Sequence, residues 1–127
     1  MTILDIQNAD IWVAIGLDEL ERKRYDKAER IFSKAIQVKP DSEKAYFGLG
    51  EALLRQEKLE EAKVACKKLI SFNPYHYNAY ENLGKIYAAQ GDIQNATICV
   101  KKSLAINQNH PHLYKVLNLL RGQMQTK

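Results

Sequence analysis

The chain repeats itself with a period of 34 residues, and this period limits what it can fold into. Pro40 and Pro74 stand one period apart. An aromatic residue, a glycine, an alanine and a further apolar residue recur in register around them. The three sets are Trp12, Gly16, Ala28 and Phe32; Tyr46, Gly50, Ala62 and Cys66; and Tyr80, Gly84, Ala96 and Val100. Such a repeat predicts a solenoid built from one unit, which offers an extended surface and no enclosed pocket.

Apolar residues within each unit follow the period of an α-helix. In the second unit one apolar stripe runs from Ala45 to Leu53 and another from Leu59 to Ile70, separated by the polar residues 55–58. The second stripe ends before Pro74, because the residue before a proline disfavours the α conformation. Each unit is therefore predicted to be a pair of antiparallel helices joined by a short turn. The predicted bounds in the outer units are Asn8–Arg22, Tyr25–Val38, His76–Gln90 and Ile93–Ile106.

One glycine lies in the middle of the first helix of every unit. Glycine costs about 1 kcal/mol relative to alanine at such a position, and this cost persists where a facing helix must approach closely. We expect each glycine to pack near the small residue in the second helix of its own pair. The expected pairs are Gly16 with Ala28, Gly50 with Ala62, and Gly84 with Ala96.

These residues resemble the tetratricopeptide repeat (TPR), a helix–turn–helix unit of 34 residues. The matching positions of the second unit are Tyr46, Leu49, Gly50, Ala62 and Pro74. The departures are Glu19, where an aromatic residue is usual, and Lys23 and Glu57, which stand where Gly91 keeps the turn glycine of the family. The resemblance covers residues 9–108.

The resemblance implies an all-α fold, a right-handed superhelical α-solenoid of three TPR units plus a C-terminal capping helix. We expect a single domain over residues 1–127, with units at 9–42, 43–76 and 77–110 and the capping helix at 111–122. The capping segment carries more leucines than one buried face requires. Either it packs on a second copy or a partner, or the chain is part of a longer array. Leu119 and Leu120 are the candidate oligomer surface.

The resemblance also implies that the first helices line a concave groove that binds extended or helical peptides. Projecting the helical stripes predicts the groove residues Val13, Leu17, Leu20, Phe47, Glu51, Leu54, Arg55, Asn78, Glu81, Asn82 and Lys85. This lining changes from apolar to polar along the array, which favours an amphipathic helix or a short peptide with apolar and acidic residues. Alternatively, the chain's own N-terminus covers Val13 and Leu17 through Ile3, Leu4 and Ile6.

Some TPR proteins grip the C-terminal carboxylate of a chaperone with lysine, asparagine and arginine at set groove positions. The lysine and asparagine positions of the first unit are Val13 and Leu17 here, and the asparagine position of the second is Gly48. Only Asn82 resembles a residue of that clamp. These departures predict that the chain does not bind a chaperone carboxylate.

Charge is distributed unevenly along the chain. Residues 1–63 carry 11 basic and 13 acidic side chains, a balance of −2, whereas residues 64–127 carry 8 and 2, a balance of +6. The C-terminal half is therefore either a basic face that is simply solvated or a surface that attracts an acidic partner. The pairs Lys67-Lys68 and Lys101-Lys102 recur on the second helices and open a second interpretation, nucleic-acid binding. It is disfavoured, because the groove lacks the repeated base-reading pairs of helical RNA-reading arrays.

No catalytic constellation is visible in the sequence. There is no nucleophile motif and no glycine-rich phosphate loop, so we expect a non-catalytic scaffold or adaptor without a cofactor. Self-assembly into a homodimer through the C-terminal helix is the alternative. His110-Pro111-His112 has no carboxylate or thiol near it in sequence, so no metal site is expected.

The cellular compartment is predicted from cysteine usage and from the absence of targeting segments. Cys66 and Cys99 are expected to be free thiols that act as small hydrophobic residues in a reducing compartment. The sequence shows neither a secretory signal nor an apolar run long enough to span a membrane. We therefore expect a cytoplasmic protein.

Overall fold

The computed structural model describes residues 7–125, and within this range the chain forms seven α-helices and no β-strand. The helices are α1 (Ala9–Glu21), α2 (Tyr25–Val38), α3 (Glu43–Arg55), α4 (Leu59–Phe72), α5 (Tyr77–Ala89), α6 (Ile93–Ile106) and α7 (Pro111–Gln125). Helices α1 to α6 pack as three consecutive pairs, each pair packs on the next, and α7 packs on α6. This is the α-solenoid of three helix pairs and a C-terminal helix that the repeat predicts.

The three turns within the pairs have the same backbone conformation. Lys23, Glu57 and Gly91 lie one period apart and have φ values of 59°, 61° and 79°, in the left-handed region. In each turn the following residue donates its N–H to the carbonyl oxygen five residues earlier, at 2.9–3.0 Å, as in a Schellman motif. Glycine adopts this conformation freely, whereas lysine and glutamate are strained in it. The geometry of the turn is therefore imposed by the packing of the pair and not by a glycine.

The glycines in the middle of the first helices lie opposite different residues from the predicted alanines. A Cβ added to Gly16 would come within 2.7 Å of the Phe32 ring. At Gly50 the nearest atom is Cys66 Sγ at 3.5 Å. The glycines thus face the apolar residue one turn beyond the predicted alanine, because the two helices cross at that level. At Gly84 the nearest atom is Val100 Cγ2 at 3.3 Å, although the carbonyl oxygen of Ala96 is also close, at 3.5 Å.

Phe32 lies between two units. Its side chain is fully buried, and its ring faces Gly16 of its own pair and Gly48 of the next pair. Three apolar clusters follow one another along the array, centred on Phe32, on Cys66 with Ile86, and on Val100 with Leu113. Each cluster spans a junction between units, so the units are stable only as a stack.

None of the helices in the described range combines the length and the apolar character that a membrane crossing requires. The proposed cover of the first helix by Ile3, Leu4 and Ile6 lies outside the described residues.

Candidate functional site

The predicted groove residues of the first unit differ strongly in exposure. Leu17 is 48% exposed, and Leu20 is half-buried. Val13 is only 4% exposed, because it belongs to the cluster around Phe32. Leu17 is therefore the most exposed of the three predicted groove residues of this unit, and Val13 offers little contact area.

In the second unit three of the predicted groove residues are half-buried and only Arg55 is exposed. The half-buried Phe47 ring lies 5.3 Å from the His76 ring, centroid to centroid. Leu54 is half-buried and packs against the central cluster, whereas Arg55 is exposed. The second unit thus contributes an aromatic edge and a guanidinium group to the surface.

Polar side chains connect the first helices of neighbouring units. Asn82, only 4% exposed, donates its side-chain N–H to Glu51 Oε1 at 2.7 Å. Glu81 Oε1 lies 3.6 Å from the Lys85 ammonium and 3.2 Å from His112 Nε2. Both groove carboxylates are therefore paired within the chain. Asn78, the remaining predicted residue of this unit, is half-buried.

A crevice of about 150 Å³ opens between α5 and α7. The backbones of α5 and α7 do not pack directly on each other, in contrast to α1 with α3 and α3 with α5. The walls of the crevice are mainly apolar, and its lining also includes the polar side chains of Glu81, Lys85 and His112. The lining residues are Glu81, Gly84, Lys85, Ala88, Val100, His112, Leu113, Val116 and Leu120. Two predicted groove residues, Glu81 and Lys85, thus border an apolar recess beside α5.

The two candidate residues for an oligomer surface point in different directions. Leu120 is 6% exposed and packs in the C-terminal cluster with Leu113 and Leu117. Leu119 is 71% exposed, and Val116, one turn before it, is also exposed. Adjacent residues on a helix project about 100° apart, so one face of α7 is internal and another is free for contacts.

The residues that surround the C-terminal histidines could not be predicted from their neighbours in the sequence. Glu81 comes from α5, 31 residues before His112, and the stacking of the units places it beside His110 and His112. No carboxylate is near these histidines in sequence, and the structure supplies one from another helix. The spacing between Glu81 and His112 is close to one repeat, and this was the signal in the sequence that could have revealed it.

The two thiols are buried and unpaired in the central cluster. Burial raises the pKa of Cys66 to about 12, and burial also raises the pKa of Cys99. Both side chains therefore remain protonated near neutral pH, and they act as small hydrophobic residues rather than as nucleophiles.

The basic pairs on the second helices are exposed, but one lysine of each pair lies over an aromatic ring. Lys68 Nζ is 5.3 Å from the centroid of Phe72, and Lys102 Nζ is 5.7 Å from that of Tyr80. The Lys68 contact lies within α4, whereas the Lys102 contact joins α6 to α5, so Lys102 contributes to packing between helices as well as to the surface charge.

Comparison with known proteins agrees with this architecture. The family profile described as tetratricopeptide repeat matches residues 19–70 and 53–120. A search of curated protein sequences found no significant match. Among solved structures, the first TPR of Spaghetti (RPAP3), bound to the HSP90 peptide SRMEEVD, superimposes with a TM-score of 0.90 at 18% identity, covering 94% of both chains.

Two further structures show the same fold. The TPR domain of Arabidopsis OM64 has a TM-score of 0.90 at 16% identity, covering 94% of this chain and 98% of that one. YrrB, described as a TPR protein with an unusual peptide-binding site, has a TM-score of 0.81 at 21% identity, covering 86% and 56%. The profile match extends over most of the sequence, and the chain belongs to the tetratricopeptide repeat family.

Proposed function

We propose that the chain is a non-catalytic protein-interaction scaffold that binds a peptide or a helical segment of a partner in its concave groove. The observation that carries this proposal is the exposure of Leu17, which is 48% exposed on the predicted groove side of α1. The half-buried Phe47 and the exposed cations Arg55 and Lys85 are predicted to lie on the same side of the array. Peptide binding by structurally similar TPR proteins supports the same function. The two buried free thiols are in keeping with a reducing compartment such as the cytoplasm.

The chemistry of the groove favours a partner with apolar and acidic residues. The groove carboxylates Glu51 and Glu81 already have partners within the chain. The exposed guanidinium of Arg55 is therefore able to attract an acidic side chain, while Leu17 and Phe47 provide apolar contacts. An amphipathic segment that presents leucines and glutamates would match both features.

Peptide display tests this proposal with a matched pair of variants. Leu17→Glu changes the groove, whereas Val64→Glu changes a residue of α4 that is 68% exposed and lies outside the predicted groove. Both positions are on the surface, so each substitution should alter stability by only about 0.5 kcal/mol. Peptides selected by the wild type from a random library should bind Val64→Glu equally well and lose at least about tenfold in affinity for Leu17→Glu. Equal binding to both variants would place the binding site elsewhere.

The groove is not expected to hold a chaperone carboxylate. Val13 and Gly48 are buried, and the Asn82 amide is engaged with Glu51. Three of the positions that would grip the carboxylate are therefore occupied by packing or by an internal hydrogen bond. Titration with the peptide SRMEEVD should show no saturable binding in the micromolar range, and a saturable curve would contradict this expectation.

Self-assembly through α7 is a second candidate function, and the exposure of Leu119 favours it. The exposed Leu119 and Val116, one turn apart on α7, offer apolar side chains of the kind found at protein contacts. Light scattering across protein concentrations should show a dimer that Leu119→Lys converts to a monomer. A wild-type mass that stays monomeric at all concentrations would exclude this interface.

A further inference from the structure

Two histidines and one glutamate meet at the start of α7. One ligand atom each from Glu81, His110 and His112 lies within 4.8 Å of the other two. His112 Nε2 is 3.2 Å from Glu81 Oε1, and the two imidazole rings are 5.3 Å apart between centroids, edge to face. Glu81 is also one of the predicted groove residues, whereas the two imidazoles have no role in the peptide binding proposed above.

The spacing of these side chains suits a metal ion. Zinc binds histidine nitrogen and carboxylate oxygen at about 2.0–2.2 Å, so tetrahedral ligand atoms lie roughly 3.4 Å apart. The contact between Glu81 and His112 already has this separation, at 3.2 Å. The remaining gap to His110 requires only a rotation of its side chain, because no ligand atom is more than 4.8 Å from the others.

The backbone holds the three ligands in place from two directions. Glu81 is on α5, and its side chain is 13% exposed. The ring of His110 packs on Tyr77, one helical turn before Glu81, at 5.3 Å between centroids. Pro111 begins α7, and its fixed φ restrains the two histidines on either side of it. A site supported by packing in this way needs little reorganisation to bind a metal ion.

We propose that Glu81, His110 and His112 form a binding site for a divalent transition metal of the zinc class, which joins α5 to the start of α7. Imidazole ligands select zinc, nickel or copper over magnesium and calcium, which prefer all-oxygen sites. Three protein ligands leave the fourth position of a tetrahedral ion for water. The site lies on the rim of the crevice between α5 and α7, which Glu81 and His112 also line.

Two neighbouring groups bear on the affinity of this site. The Lys85 ammonium is 3.6 Å from Glu81 Oε1, but its side chain is 59% exposed and is free to move into solvent when a cation binds. The thiols of Cys66 and Cys99 do not compete, because they are buried in the central cluster. Glu81 and Asp92 are the only acidic residues after residue 63, and Asp92 caps α6. Glu81 is therefore the carboxylate available to a metal ion at this end of the array.

Calorimetric titration of the tag-free chain with Zn²⁺ tests the proposal, with Mg²⁺ as the comparison ion. We expect one saturable Zn²⁺ site, no Mg²⁺ binding and a higher Tm in the presence of Zn²⁺. Glu81→Gln and His112→Asn should each weaken Zn²⁺ binding at least about tenfold, because loss of even an outer-shell partner costs roughly 10- to 100-fold. The control is His76→Asn, which removes the third histidine while keeping a side chain that can cap α5.

An NMR readout on the wild type covers the case in which a variant does not fold. Zn²⁺ should shift the imidazole signals of His110 and His112 and leave those of His76 unchanged. Absence of saturable binding up to millimolar Zn²⁺ would overturn the proposal. Equal affinity in the wild type and in Glu81→Gln and His112→Asn would also overturn it, as would a shift confined to His76.

Discussion

Replacement of Gly48 by alanine should reveal how the units are locked together. A Cβ on Gly48 would overlap the Phe32 ring, and even the third-nearest ring atom, Cε2, would lie only 2.7 Å away. Phe32 is fully buried, and its other side is held by Gly16, so the ring cannot turn aside. The matched control is Gly50→Ala in the same helix, where the nearest atom is Cys66 Sγ at an ordinary 3.5 Å.

The expected magnitudes follow from two opposing terms. Alanine is favoured over glycine within a helix by about 1 kcal/mol, and this gain applies to both substitutions. Overpacking a rigid core costs roughly 1–3 kcal/mol, and the Gly48 overlap is severe enough for the upper part of that range. Gly48→Ala should therefore lower the free energy of unfolding by about 2 kcal/mol. Gly50→Ala should leave it unchanged or raise it by up to about 1 kcal/mol.

Urea denaturation gives the measurement. With an m-value of about 2 kcal/mol/M, the midpoint for Gly48→Ala should fall by about 1 M relative to the wild type. A second substitution, Phe32→Val, replaces the ring by valine, the residue that occupies the equivalent position of the third unit, Val100. In that background the overlap is relieved and Gly48→Ala should be neutral or stabilising by up to about 1 kcal/mol, which gives a coupling energy of about 2–3 kcal/mol. Equal midpoints for Gly48→Ala and Gly50→Ala, or a cost that persists with Phe32→Val, would refute this account of the packing.

Three further predictions concern the turns, the last helix and a thiol. Residues 57 and 91 both have positive φ, which glycine adopts more easily than other residues. In urea melts Glu57→Gly should therefore raise the free energy of unfolding by about 0.5–1 kcal/mol, and Gly91→Ala should lower it by a similar amount. Leu120→Ala should cost about 2–3 kcal/mol and Leu119→Ala less than about 0.5 kcal/mol by the same assay, because only Leu120 is buried. The pKa of Cys66 rises from 9.0 to about 12 on folding, so its contribution to stability is full below pH 9 and is lost as the pH rises toward 12. Between pH 8 and pH 10 the free energy of unfolding of the wild type, measured by urea denaturation, should therefore fall by about 1 kcal/mol more than that of Cys66→Ala.

Local structure could be predicted closely from the residues. The predicted bounds of α1 to α6 agree with the structure to within a residue or two, as at Tyr25–Val38 and Ile93–Ile106. The last helix extends to Gln125, three residues beyond the predicted end at residue 122. The turn positions were also readable, because Lys23 and Glu57 align with Gly91. These features depend on residues near one another in sequence, and their physical causes operate within a single helix or turn.

The surface of the groove could be predicted only in part. A helical projection placed Val13 and Asn82 on the concave side, but neighbouring units leave each only 4% exposed. The same projection does not reveal that Glu81 meets the two histidines, or that α5 and α7 separate to form a crevice. Each of these outcomes depends on how closely one unit approaches the next.

The sequence by itself determined the repeated unit, because each helix, cap and turn is specified by short-range preferences that recur with the period. The tertiary structure alone decided which side chains remain available to a partner. The distance between units is set where a large residue of one meets a small residue of the next, as Phe32 meets Gly48. Such a contact joins residues from different units, and its geometry exists only once the units are stacked.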